Sequence, residues 1–503
     1  MPTLDISNFN IVVSVLGGWV SLFGLVSYLL KENFYLSEAL ISLLAGITFG
    51  PHALNWLRPM EYAGSEANLD DVTLVFTRLV LGVQLVLAGI QLPSRYLKKE
   101  WKPLSLLLGP IMVAMWLATG LLVWALVPHL PFLHALAIGA CVTPTDPVLS
   151  NVIVKGKFAD HNIPKDLQKI IIAESGANDG LGYPFLFLAL YLIKYVGDGG
   201  VSESGGGGLA IGLWFGETWG YTIILSVIYG AAVGWLARQL LRYCEDHNSL
   251  QPTIDMLLNV AIFIWYGAVC PWRSFVSNTV VPISRLIPLG LLVLILRRPP
   301  FILGLHRKIS QIEDIRQATF MGFFGPIGCS AIFYLYVTIK FIGTLNPGGG
   351  DAPRDDVRNL EEAVTVIVWF MVVASVVVHG LSIPVGKLGF RLPRTISRSI
   401  SIERPSFQTS SLTNDSRLPR SLSRGRMARN TSWPRNTSST QAFRIGGTVI
   451  PPREAAQDLQ PPTPGPVPHV EEGRGIATES TGTEPQPATP SHLPPESDNS
   501  VSS

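Results

Sequence analysis

The chain has 503 residues, 48% of them hydrophobic and 15% charged, with a formal net charge of +2. So even a charge balance gives no footing for nucleic-acid binding. The apolar residues stand in long runs instead of amphipathic periods, which excludes a soluble globular protein and points to membrane spans.

A spanning helix needs roughly 20 apolar residues to cross about 30 Å of hydrocarbon. In chain order the runs predict spans at 11–30, 36–57, 72–93, 104–127, 133–154, 170–196, 218–241, 253–270, 277–296, 317–343 and 363–386. The first lacks a basic leader and a small-residue cleavage site, so it reads as a retained span. Cys141, Cys244, Cys270 and Cys329 lie in or beside spans without CxxC spacing, and neither disulfides nor zinc are expected. No cofactor signature is present; the absence of G-x-x-x-x-G-K-[ST] argues against ATP hydrolysis.

Lys and Arg are biased to alternate loops. One set holds Lys31, Arg95, Lys98, Lys99, Lys102, Lys155, Lys157, Lys165, Lys169, Arg238, Arg242, Arg297, Arg298, Arg307, Lys308 and Arg316, and the other Arg58, Arg273, Arg354 and Arg358. The positive-inside rule makes the rich set cytoplasmic. This predicts an outside N-terminus and, after an odd number of spans, an inside C-terminus.

Within the fifth span, Pro144 and Pro147 flank Asp146 in the run Cys141-Val-Thr-Pro-Thr-Asp-Pro-Val-Leu149. Two prolines so close break a helix and free carbonyls that need a new partner. In a membrane that partner is often a cation, with hydroxyls such as those of Thr143 and Thr145 close by. The sixth span carries Glu174, Asn178 and Asp179 in Ala173-Glu-Ser-Gly-Ala-Asn-Asp-Gly180. A carboxylate at the bilayer centre costs about 2.5–3.5 kcal/mol on insertion scales, so its default reading is functional.

Glu174 and Asn178 share a helix face, and Asp179 lies about 100° further round, which lets Asp179 and Asp146 converge in one cavity. Such a group trades a proton for a cation only where burial disfavours the bare charge. Glu174 reads equally well as a structural bond to a broken helix end.

The tenth span is interrupted at Gly325 and Pro326, in Gly322-Phe-Phe-Gly-Pro-Ile-Gly-Cys-Ser330. This echoes Pro144–Pro147, and matched interruptions in two halves point to a transporter's midplane site. Arg285 reads as the mid-span guanidinium of the ninth span; it is expected to neutralise a broken-helix end or to pair with Glu174. Asp255 and Asn259 share a face of the eighth span.

Beyond Arg394 the sequence turns rich in Ser, Arg, Pro and Thr and cannot bury enough apolar surface to fold alone. Residues 1–393 are therefore expected to form the membrane domain and 394–503 a disordered cytoplasmic tail. Its basic first part suits anionic lipid. Ser397, Ser401, Ser423, Ser432 and Ser438 each follow an Arg by three positions, a spacing used by basophilic kinases, whose phosphate would weaken that attraction.

Together these motifs resemble the fungal plasma-membrane Na+/H+ antiporters of the monovalent cation:proton antiporter superfamily. The resemblance covers nearly all of 1–393. It rests on Phe49-Gly-Pro-His52, Thr143-Pro-Thr-Asp-Pro147, Glu174-Ser-Gly-Ala-Asn-Asp-Gly180, Ser249-Leu-Gln-Pro-Thr-Ile-Asp-Met256, Phe324-Gly-Pro-Ile-Gly328 and His379-Gly-Leu-Ser-Ile-Pro384. It implies an all-α inverted-repeat antiporter fold with broken crossed helices, a homodimer, and exchange of Na+, K+ or Li+ for H+ by alternating access. Cation and proton binding fall to Asp179, with Asn178 and Asp146 beside it.

The departure is that two spans normally following the seventh are missing between residues 243 and 249. The second half is shortened, so an inactive or regulatory scaffold stands as an alternative. A passive cation channel is a weaker one, because no filter of carbonyls or charge rings is visible.

Overall fold

The computed structural model describes residues 11–22, 37–154, 163–197, 205–243, 250–345, 355–400, 443–445 and 448–450. Chain contacts divide it into Met1–Pro405 and Ser406–Ser503.

Every described secondary-structure element of the first unit is a helix. Helix α1 spans Ile11–Leu22, α2 Glu38–Phe49, α3 Glu66–Gln91 and α4 Trp101–Leu126. Helices α5 (Phe132–Val142) and α6 (Pro147–Val154) flank the first break, and α7 runs Lys165–Tyr195. Helix α8 begins at Gly206–Leu213 and passes through the π-helical Trp214–Ile223 into Ile224–Tyr243. Then follow α9 (Leu250–Val269), α10 (Ile283–Leu296) and the short α11 (Pro299–Leu305). Helices α12 (Ile315–Phe323) and α13 (Cys329–Ile342) flank the second break, and α14 runs Asp355–Ile400.

Each predicted span has its helix or broken pair of helices. Among the described residues, five stretches are long and apolar enough to cross a membrane, and there are shorter apolar helices beside them. The junction between α8 and α9, where two spans were expected to be missing, lies outside the described residues.

Lipid tails are as apolar as leucine, so helices in a membrane are held by close contact more than by a hydrophobic drive. Helices α2 and α9 meet through Gly46 and Gly267. A Cβ on Gly46 would strike the Ile264 backbone, and one on Gly267 would strike Leu43 and Gly46. Buried hydroxyl and amide pairs join α3 to α9: Thr77 with Tyr266 at 2.9 Å, and Gln84 donating to Asn259 Oδ1 at 2.9 Å. The main apolar cluster packs α5, α7, α13 and α14 around the two breaks.

Two boundaries differ from expectation. Helix α14 continues to Ile400, past the expected end at 393, because Arg-Ser-Ile turns after Pro393 are compatible with helix even where they cannot form a core. In the second unit, Phe443–Ile445 pairs antiparallel with Thr448–Ile450. The remaining tail positions, Ser401, Ser423, Ser432 and Ser438 among them, lie outside the described residues, and Ser397 is described by its backbone alone.

Candidate ion-binding site at the helix crossover

The two breaks meet. Asp146 donates its backbone N–H to Pro326 O at 2.9 Å, joining segments 180 positions apart by backbone alone. The approach is tight enough to require glycine: a Cβ on Gly328 would stand 2.7 Å from the Asp146 carboxyl carbon, and one on Gly182 would stand 2.6 Å from Pro144 Cγ.

Helix ends carry partial charges of roughly +0.5 at the N-terminus and −0.5 at the C-terminus, and their orphan groups need partners. Two such ends of each sign are brought together here. At the positive ends stands Asp146, fully buried. Its Oδ2 accepts from Leu149 N at 2.9 Å, in the first turn of α6, and its Oδ1 from Ser330 N at 3.4 Å, in the first turn of α13. At the negative ends stands Arg297, which donates to the carbonyls of Val142, closing α5, and of Gly325, past the end of α12; Thr143 O lies 3.4 Å away. One carboxylate and one guanidinium thus compensate four helix ends.

The second break is held from α14 as well. Ser375 Oγ accepts Ile327 N–H at 2.7 Å, and His379 Nε2 lies 3.0 Å from Phe323 O.

Glu174 is buried, and its two oxygens meet Arg298 Nη1 and Nη2 at 2.7 and 2.8 Å, while Arg298 Nε donates to Met321 O at 3.1 Å. Arg285 fills neither expected role. It is exposed near the start of α10, with Leu126 O at 3.5 Å as its contact. The broken-helix ends and Glu174 are served by Arg297 and Arg298, which had read as loop charges. Their signal in the sequence was the pair Arg-Arg followed by Pro299-Pro300 at the close of an apolar run.

The sixth-span residues face the first break. Asn178 Nδ2 donates to Thr145 Oγ1 at 2.7 Å, and Thr145 N donates to Asn178 Oδ1 at 3.3 Å. Ser175 links Thr145 Oγ1 at 3.3 Å to Ser150 Oγ at 3.2 Å. The Thr143 hydroxyl turns back onto Gly139 O at 2.7 Å, so it faces its own helix and not the crossover. Asp179 is 6% exposed. Tyr334 of α13 donates to its backbone carbonyl, yet neither of its carboxylate oxygens has a hydrogen-bond partner. Buried polar groups are nearly always satisfied, so the Asp179 carboxylate departs from the usual pattern.

The model of the family described as sodium/hydrogen exchanger, transmembrane, matches residues 20–257. The chain is 31% identical over 447 residues to Na(+)/H(+) antiporter 2 of Zygosaccharomyces rouxii, covering 77% of this chain and 54% of that protein. It is 32% identical over 453 residues to the Na(+)/H(+) antiporter of Saccharomyces cerevisiae, covering 77% and 44%. The chain is a sodium/hydrogen exchanger-family protein. It spans about half the length of these curated relatives. The fold is also that of the sodium proton antiporter MjNhaP1 from Methanocaldococcus jannaschii, with TM-score 0.51 at 18% identity, covering 74% of this chain and all of that one.

Proposed function

We propose that this exchanger-family protein is a secondary antiporter that trades Na+, and K+ or Li+, for H+ across the plasma membrane by alternating access. The observation that carries the reading is Asp179: a buried carboxylate without a partner, one residue from the Asn178 that ties α7 to the first break. A proton neutralises it in one half of the cycle and a cation in the other, so the loaded site holds one compensated charge either way. The curated relatives, named as Na+/H+ antiporters, support the choice of ions.

Asp146 holds the positive helix ends that would otherwise repel a cation. Thr145, Ser175 and Asn178 order the wall beside it, and Arg297 and the Arg298–Glu174 pair hold the opposite side. The cytoplasmic tail, lipid attraction and kinase control belong to the same reading, supported by the charge pattern of the sequence, and homodimeric assembly belongs to it through the family resemblance.

The test is cation-induced proton movement in sealed vesicles that hold this chain, comparing Na+, K+ and Li+. The expected result is saturable flux that is lost in Asp179→Asn. A well-inserted, unmutated chain that moves no protons overturns antiport and favours the scaffold reading, which the shortened second half motivates.

A further inference from the structure

Buried helical hydroxyls usually settle on the carbonyl four residues back. Thr119, Thr143 and Thr338 do so here, on Met115, Gly139 and Tyr334, at 2.8, 2.7 and 2.7 Å. Ser330, like Ser42 and Thr218, does not, and of these three it alone stands at the helix crossover. It stands in the first turn of α13, and the carbonyl four positions before it belongs to Pro326, already engaged by Asp146 N–H. At 1% exposure, its Oγ has no hydrogen-bond partner.

Ser330 stands one turn before Tyr334 on the same face of α13, and Tyr334 donates to Asp179 O, which brings the Ser330 hydroxyl to the side of α13 that meets Asp179. Three unpartnered oxygens, Asp179 Oδ1 and Oδ2 and Ser330 Oγ, therefore stand together in the buried crossover. Their backbones are fixed from opposite halves of the fold: Tyr334 holds Asp179 O, and Asp146 Oδ1 holds Ser330 N at 3.4 Å. An all-oxygen set with no nitrogen or sulfur suits a small hard cation.

We propose that Ser330 Oγ is a ligand of the transported alkali cation, completing a three-oxygen site with the Asp179 carboxylate and helping to choose among Na+, Li+ and K+. This deepens the antiport reading and rests on the same carboxylate. With Asp179 protonated, the hydroxyl and the neutral acid satisfy one another. When the proton leaves for water on the open side, the hydroxyl rotates and offers a lone pair to the arriving cation, so one positive charge replaces another. The bound ion then bridges α7 and α13, and its fit depends on a hydroxyl that the backbone cannot withdraw.

The test uses the full chain in proteoliposomes, with KM measured for each cation, together with cation-dependent thermal stabilisation of the purified protein. Ser330→Ala is expected to raise KM for Na+ about fivefold or more, as for loss of one contact to a charged group. Maximal rate should stay within about twofold, the Na+ to K+ preference should change, and the Na+ midpoint of stabilisation should move in parallel. Ser330→Thr should restore the KM. Ser330→Cys, close in volume but with a soft atom, should behave as the Ala variant does if Ala folds poorly.

Unchanged KM values and midpoint in the Ala and Cys variants, while Asp179→Asn loses both, overturn the assignment and leave antiport standing. An equal fall in maximal rate for Ala and Thr at constant KM also overturns it, since that is the mark of packing. If the unmutated chain moves no protons yet Na+ stabilises it less well in Ser330→Ala, antiport falls and the ligand assignment survives. No stabilisation of the unmutated chain by any of the three cations overturns the assignment.

Discussion

Arg298 and Arg285 separate what a buried cation and an exposed one are worth. The Arg298–Glu174 pair is bidentate and nearly free of water. Removing one partner leaves the other charged in a dry interior, which typically costs about 3–5 kcal/mol. Arg298→Ala should therefore lower the melting temperature of the purified protein sharply, and the further change Glu174→Gln should recover much of the loss. Arg285→Ala, at an exposed site, should stay within about 0.5 kcal/mol by the same measurement. Were the two arginines to give equal effects, the assignment of the buried pair would be wrong.

These residues also show where sequence reasoning reached its limit. Asp146, Asn178 and Asp179 were legible because a carboxylate inside an apolar run has few bland explanations. Arg297 and Arg298 were not, because a cation at the end of such a run ordinarily snorkels to the interface. Only the bend that carries α11 back under the crossover turns them inward. Ser330 gave no signal either: a serine after a glycine is unremarkable until the carbonyl it would normally use is seen to be taken. The charge bias of the loops survives with these two arginines removed from the count, and the predicted orientation rests on the remaining Lys and Arg.

At the scale of elements, the two breaks were predicted from proline and glycine alone, and their pairing from their matched positions in two halves. Their mutual capping was not, since it depends on spatial register. The glycines at the crossing are the element-scale test. Gly328→Ala would force a methyl against the Asp146 carboxyl group, which its bonds from Leu149 N and Ser330 N hold in place. It should abolish flux and reduce stability by about 1–3 kcal/mol, as overpacking does. Gly267→Val should act differently, separating α2 from α9 and lowering stability while sparing the ion site, as read by a thermal melt and by the KM of whatever activity remains. Unaltered melting in both variants would contradict the close contacts described.

At the scale of the molecule, the first unit extends to Pro405, and its described helices pack against one another. A chain ending at Pro405 should keep the thermal stability and elution profile of the full chain in detergent. Changes confined to the cation or pH response of transport would assign the tail a regulatory part, whereas loss of the folded species would show that it holds the membrane domain together. The eleven spans were plain in the sequence because bilayer thickness sets the length of an apolar run. The continuation of α14 and the small pair of strands were not, because polar turns obey local preferences too weak to stand out from a solvated tail.

The mutual completion of the two breaks carries a consequence for biogenesis. Val142 and Gly139 enter the membrane early, yet the arginine that meets Val142 is made 155 residues later and the partner of Glu174 124 residues later. At about 5–20 residues per second, the Val142 carbonyl and the Glu174 carboxylate wait roughly 6–31 s for their arginines. During synthesis the nascent first half must therefore keep Glu174 hydrated or shielded by the insertion machinery, and the crossover closes only when the second half arrives.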